Sequence, residues 1–274
     1  MRGKIVTQIA YFSGTGNSLM VAKELAARLE GATLVPMVKA IRKGRAGGGA
    51  DRLILVFPTY LMTLPLPVRQ YLGLLDRGAA AYVAAVATCE RKGNLTALTV
   101  ARLLRARGLE LSYHAEVEMP QNSPTGLMPT KGDAGWARSI REKNTDAGFQ
   151  AARASIASIA ADLAAAKRAV GGRGFGAVIL ESLISAASKN NTSRLAFYSD
   201  PTCTGCGICE RICPTGRIAV ADGRVAWDRD EKCYYCFACF NACPTQSILL
   251  KNYALKEGRY VNRAIAVQEL IGQK

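Results

Sequence analysis

Eight of the nine cysteines in this 274-residue chain fall between residues 203 and 243, in two sets that repeat each other. The first reads Cys203-x2-Cys206-x2-Cys209-x3-Cys213-Pro214. The second, thirty residues on, reads Cys233-x2-Cys236-x2-Cys239-x3-Cys243-Pro244. A threonine follows each proline, and Arg217-Ile218-Ala219-Val220 in one set answers Ser247-Ile248-Leu249-Leu250 in the other. The segment is an internal duplication, and its fold must bring the thiols together.

Met1-Arg2-Gly3-Lys4 leads into a short apolar stretch with no small-residue cleavage pattern, so the chain is expected to stay in a reducing cytoplasm. There, clustered cysteines are metal ligands rather than disulfides. Three thiolates at two-residue spacing wrap one corner of an iron-sulfur cubane, and the fourth cysteine, before proline, ligates the other cluster of a pair. Cys203, Cys206, Cys209 and Cys243 are therefore expected to hold one 4Fe-4S cluster, and Cys213, Cys233, Cys236 and Cys239 the second. The rival metal is structural zinc, which favours paired C-x2-C units with a longer spacer and leaves the closing proline unexplained. Gly205 and Gly207 let the first turn approach a cluster. Tyr234, Tyr235 and Phe237 occupy the second turn, either to restrict solvent or to pack a small core.

The preceding sequence is of another kind. Ile5 to Phe12 is a β-rich apolar run, Ser13-Gly14-Thr15-Gly16-Asn17-Ser18 a small-residue turn, and Leu19 to Leu29 apolar at helical spacing. Arg52 to Phe57, Ala81 to Ala87 and Leu111 to Glu118 read as further strands. Helices are expected at about Val68 to Leu75, Gly93 to Arg107, Trp136 to Val170 and Ala177 to Ser188. Alternating strand and helix predict an α/β doubly wound parallel sheet, although a fifth strand is not evident. The expected division is 1–170 for this domain, 171–195 for a linker interrupted by glycines and polar residues, 196–250 for a small α+β domain, and 251–274 for a C-terminal extension.

A strand feeding a loop of hydroxyls and glycines into a helix N-terminus points backbone N-H groups at one anion. Ser13, Thr15 and Ser18 add hydroxyls, Asn17 an amide, and Gly14 and Gly16 permit close approach. Neither the Gly-Lys-Ser/Thr ending of a triphosphate loop nor the three-glycine dinucleotide fingerprint is present, so a monophosphate fits better. The alternative is simple helix capping by Asn17 or Ser18. The loops after the second and third central strands, Pro58-Thr59-Tyr60 and Thr88-Cys89 to Gly93, lie where a ring system would rest. Tyr60 is placed to stack on it and the Thr88–Gly93 backbone to bond its edge. Cys89 has no partner in sequence and reads more readily as a small buried hydrophobe than as a flavin contact, and His114 reads as structural.

The Ser13–Ser18 loop resembles the phosphate loop of flavodoxins, with Ser18 where threonine is common, and implies flavin mononucleotide (FMN). Together with Phe57-Pro58-Thr59-Tyr60, Met119-Pro120-Gln121-Asn122 and the cysteine array, the chain is similar to the flavodoxin/ferredoxin fusion proteins of anaerobes often called the EFR family. That resemblance implies a flavodoxin-like domain and a bacterial-type two-cluster ferredoxin domain. The family usually has an aromatic after the Met-Pro-x-Asn element, where this chain has Ser123. Residues 251–274 match nothing in the resemblance.

Clusters carry single electrons and FMN one or two, so the combination implies an intramolecular electron wire. The expected role is an oxidoreductase passing electrons from a ferredoxin-like donor to an unidentified acceptor, a small molecule or a second protein, with basic Arg91 and Lys92 raising the flavin potential. A plain electron carrier without a substrate is the alternative. The net charge of +15, most of it before residue 196, favours an acidic redox partner such as ferredoxin or flavodoxin. Arg102, Arg105 and Arg107 are either a solvated face or part of that docking patch. A nucleic-acid surface with structural metal sites is a remote reading, because no recognition motif accompanies the charge. No apolar run approaches a membrane span.

Overall fold

The computed structural model describes residues 5–46, 48–122, 135–171, 175–189, 196–250 and 258–274. Elements β1 (Thr7–Tyr11), α1 (Asn17–Ala26), β2 (Thr33–Pro36), α2 (Met37–Arg42), β3 (Arg52–Pro58), α3 (Leu66–Gly73), β4 (Tyr82–Cys89), α4 (Thr96–Arg105) and β5 (Leu111–Glu118) alternate along the chain. The strands form one parallel sheet in the order β2-β1-β3-β4-β5. This is the flavodoxin-like order of a doubly wound sheet, whose ligand crevice opens where the order reverses, beyond the carboxyl ends of β1 and β3. Every residue of β3 and β4 is buried, as strands covered on both faces require.

The fifth strand is β2, which the sequence pattern does not reveal. It has four residues, exposes Thr33 and Leu34, and ends at Pro36, whose missing N-H only a sheet edge tolerates. The long helix expected over Trp136–Val170 is two helices, α5 (Gly135–Lys143) and α6 (Asp146–Ala164). Thr145 divides them by capping α6, its hydroxyl accepting from the Gly148 amide at 3.1 Å.

The span expected as a linker contains α7 (Phe175–Lys189), and this helix is docked rather than free. Glu181, only 2% exposed, accepts from Arg102 at 3.0 Å, Thr99 at 2.8 Å and Ser185 at 2.6 Å. Arg102 is thus committed to an ion pair and Arg107 to the Leu75 carbonyl, so two members of the basic run are engaged within the chain. Burial alone would raise the Glu181 pKa; the Arg102, Ser185 and Thr99 bonds outweigh it, and the carboxyl titrates below its usual value. Its contribution is complete above the ordinary value of 4.5 and is lost as pH falls through the lowered folded value. Arg102→Met should cost about 1–2 kcal/mol at neutral pH, less than a fully buried pair because Arg102 is half in solvent. Thermal melts should show the gap from wild type narrowing as pH falls below 4.5. A constant gap would assign the loss to packing.

The second lobe comprises β6 (Phe197–Ser199), α8 (Ile208–Ile212), β7 (Ile218–Ala221), β8 (Arg224–Trp227), α9 (Ala238–Asn241), β9 (Ile248–Leu250) and α10 (Val267–Ile271). Strand β6 pairs antiparallel with β9, and β7 with β8 through Asp222-Gly223, both left-handed as a tight hairpin demands. The duplication extends to the backbone. Gly205, Gly207 and Gly216 have positive φ, and so do their counterparts Tyr235, Phe237 and Gln246. A left-handed non-glycine costs roughly 1–2 kcal/mol, so the turns keep their shape even where side chains oppose it. Phe237 packs against Phe197 and Phe240 around a small apolar core with Ile218, Ile248 and Leu250. The lobes share a second body of contacts: Ile212, Cys236, Ala238, Ala242, Ile265 and Leu270 belong to the core of the parallel sheet.

Candidate cluster centre and phosphate loop

The thiols are neighbours in two crossed groups. The Cys209 thiol is pushed up to about 11, first by burial and then by Cys206, Cys243 and Cys203. Cys236 is raised by burial and by Cys233 and Cys213, and Cys239 by burial and by Cys236, Cys213 and Cys233. Thus Cys243 of the second repeat joins the first three cysteines, and Cys213 of the first joins the second three. Cys209 also acts on Cys239, so the groups adjoin. Amide donors point at sulfur in each: Tyr235 N to Cys233 at 3.4 Å, and Ser247 N to Cys243 at 3.3 Å. At Cys243 the Thr245 hydroxyl and nearby amides outweigh burial and lower the thiol.

Among the described residues no three His, Cys, Asp or Glu side chains are gathered around a single-ion point. The donor chemistry, four soft thiols per group with amides aimed at sulfur, fits a 4Fe-4S cluster in each. Cys206 is exposed while Cys209, Cys213 and Cys236 are buried, so one group opens toward solvent and the other faces the parallel sheet.

The Ser13–Ser18 loop stands at the carboxyl end of β1, as its sequence requires, and Gly16 takes φ 103° at the start of α1. Several of its polar groups are answered from within the chain. The Ser13 amide donates to Gln273 Oε1 at 2.9 Å, and Gln273 Nε2 returns a bond to the Ser13 carbonyl at 3.0 Å. The Thr15 carbonyl accepts from the Asn262 amide at 2.8 Å, and the Thr15 hydroxyl from Asn122. Asn17 Oδ1 accepts from the Tyr260 hydroxyl at 2.7 Å and from Asn262 Nδ2 at 3.0 Å, while its Nδ2 donates to the Pro120 carbonyl. Ser18 and Thr88 share a hydroxyl bond at 2.8 Å. Close approach at the glycines is also internal. A Cβ on Gly14 would lie 2.3 Å from the Cys236 carbonyl oxygen, and one on Gly16 2.8 Å from Asn262 Cβ.

The loops beyond β3 and β4 surround the same place. The Thr59 amide bonds the Thr88 carbonyl at 2.8 Å, continuing the Pro58–Thr88 register, and Tyr60 pairs with Thr63 across a tight turn. The Tyr60 ring is partly exposed, but its hydroxyl is buried without a partner. Gly93 donates to Glu116 at 2.7 Å. Cys89 is buried against the Val117 carbonyl, and its thiol is pushed up to about 12 by burial, Glu116 and Glu118, an environment that disfavours the thiolate. His114 bonds Thr96 at 2.9 Å. Ser123 lies outside the described residues, as do Met1 to Lys4 and 190–195 of the expected linker.

Residues 202–248 match the family described as a 4Fe-4S dicluster domain. Over these residues the C-terminal lobe is similar to a dicluster domain. No curated protein matches the chain. Among solved structures it is similar to a flavodoxin from the domain Archaea (12% identity, 58% of this chain and 99% of that one, TM-score 0.34). It is also similar to a flavoprotein in complex with FMN from Lactobacillus acidophilus NCFM (15%, 41% and 93%, 0.32) and to an azoreductase from Bacillus anthracis str. Sterne (12%, 59% and 100%, 0.36). The flavodoxin-like fold rests on the strand order and not on these distant likenesses.

The dicluster domain and the segment after it pack against the phosphate loop. A void of about 10 Å³, room for roughly one water, is lined by Ser13, Gly14, Cys236 and Gln273 among others, and a cleft among Lys92, Glu118, Pro120, Lys143 and Phe149 holds about 170 Å³. Neither is lined by Thr15, Asn17 or Ser18, so the fit of FMN to the loop rests on its donor set: hydroxyls, an amide and a helix N-terminus suited to a phosphate. Tyr260, Asn262 and Gln273, which answer the loop, carry no sequence signal of that role. Their partners lie more than 240 positions away.

Proposed function

We propose that the chain is an electron-transfer protein whose dicluster domain holds two 4Fe-4S clusters, one on Cys203, Cys206, Cys209 and Cys243 and the other on Cys213, Cys233, Cys236 and Cys239. The observation that carries this reading is the match of residues 202–248, which contain all eight cysteines, to a 4Fe-4S dicluster domain. Such clusters supply one-electron chemistry when bound. The chain's residues do the rest: eight thiolates hold the iron, amides of Tyr235 and Ser247 offset sulfur charge, and Phe237, Phe240 and Phe197 keep water from the small core. Exposed Cys206 leaves one group within reach of a partner, and the +15 charge favours an acidic redox protein in the cytoplasm as that partner. The absence of a helix long and apolar enough to cross a membrane among the described residues accords with this.

A second reading, an oxidoreductase in which FMN on the Ser13–Ser18 loop serves a small-molecule acceptor, is favoured by the composition of that loop. The bonds that Gln273, Tyr260 and Asn262 make to the loop weigh against it. Anaerobic purification with iron, sulfide, zinc and flavin analysis of one sample separates the two. About eight iron and eight sulfide per chain without flavin supports the carrier. One FMN with the same iron supports the oxidoreductase, and zinc in place of iron would overturn both.

A further inference from the structure

Helix α7 is docked inside out. The side it turns to the parallel-sheet lobe is polar: Glu181 and Ser185, one turn apart and both buried, meet Arg102, Thr99 and Arg69. The side it turns to solvent is aliphatic. Val178, Ile179 and Leu180 are each nearly half exposed, and Leu183 is 65% exposed. The adjoining turn does the same. Thr63 bonds Thr99 at 2.9 Å and Arg69 at 3.0 Å beside α7, and the two residues before it, Leu61 and Met62, are exposed and left-handed, with φ 49° and 63°. Such backbone is strained for side chains of that size. These six are more than half of the eleven large apolar side chains exposed among the described residues, and an aliphatic patch of that density marks an interaction surface.

Spacing and charge say what covers it. Gly176, Ile179, Leu183 and Ala186, all exposed, follow one another at intervals of three, four and three residues, the a/d seam by which one helix packs along another. The exposed residues of α7 with described side chains carry no charge. Its one acid, Glu181, is turned inward, and the neighbouring cations Arg69 and Arg102 are engaged with Thr63, Ser185 and Glu181. An acidic protein or an anionic lipid surface would call for cations aimed outward at this place. The complement of an uncharged aliphatic seam is another such seam, and a two-fold axis supplies it from the same sequence. We propose that α7 pairs with α7 of a second copy of this chain, with Leu61 and Met62 packing at the edge of the same interface.

The test is the mass of the full chain, purified anaerobically, by sedimentation equilibrium over a range of concentration and salt. Wild type is expected to reach twice the chain mass, and high salt to leave the association intact, because screening weakens charge pairs and not apolar contacts. Leu183→Asp is expected to weaken self-association by about 30-fold or more, as loss of an interface anchor does, with circular dichroism and iron content unchanged. Ile179→Asp, one turn away on the seam, should do the same, and Leu183→Met should keep the dimer. A wild-type chain that stays monomeric up to about 0.1 mM overturns the proposal, as does a dimer that both aspartate variants leave intact. Binding of a monomeric chain to phosphatidylglycerol vesicles, abolished by Leu183→Asp, would give the face to a lipid surface and likewise overturn it.

Discussion

Replacing Cys213 with alanine is expected to remove the cluster whose other ligands lie in the second repeat, so that iron falls from about eight to about four per chain. Cys213 stands four residues after Cys209, yet its thiol acts on Cys236 and Cys239, whereas Cys209 feels Cys243. The physical cause is the chain path. Helix α8 carries Cys209 on its buried face and ends at Cys213 in extended backbone, φ −67° and ψ 115°, which turns the fourth thiol away from the first three. Paired replacements decide the matter. Cys213→Ala with Cys233→Ala should leave as much iron as either alone, because both strike one cluster. Cys213→Ala with Cys203→Ala should remove nearly all of it. The opposite pattern would mean that each repeat closes its own site. Because cluster binding is also folding free energy, the second pair should melt well below the first.

Gly14→Ala should be the most damaging single change outside the cysteines. Its new methyl would lie 2.3 Å from the Cys236 carbonyl oxygen and 3.2 Å from the carbonyl carbon, a backbone group that cannot step aside as a side chain does. Overpacking of a well-filled interior costs about 1–3 kcal/mol and sometimes more. Here relief comes by lifting the Cys233–Cys236 turn from the sheet. The expected result is lower stability in denaturant titrations together with loss of about half the iron. If the loop served only a phosphate, the same change would leave iron and stability near wild type and affect flavin alone. Observing that would show that the dicluster domain does not rest on the loop.

Legibility in the sequence follows the range of the interactions. Central strands β3 and β4 were plain because burial on both faces demands unbroken apolar runs, and the dicluster segment was plain because cysteine spacing and proline act within a few residues. Strand β2 was hidden because an edge strand needs few apolar residues. The division of the long helix at Thr145 was hidden because alanine-rich sequence conceals a cap inside a helical pattern. Helix α7 looked like part of a linker because its anchor, Glu181, takes its meaning from Arg102 and Thr99, some 80 residues away.

The Ser13–Ser18 loop shows the limit most clearly. Its residues alone determined that a tight, donor-rich turn would follow β1 and open α1, since hydroxyls, glycines and the helix terminus act locally. The duplicated cysteines likewise determined the chemistry of the C-terminal lobe. Only the tertiary structure decided what meets the loop. Tyr260, Asn262 and Gln273 arrive from the far end of the chain, and the Cys236 backbone closes on Gly14. A hydrogen-bond donor is satisfied equally by a phosphate oxygen or by an amide of its own chain, and which of them arrives depends on how the two lobes pack.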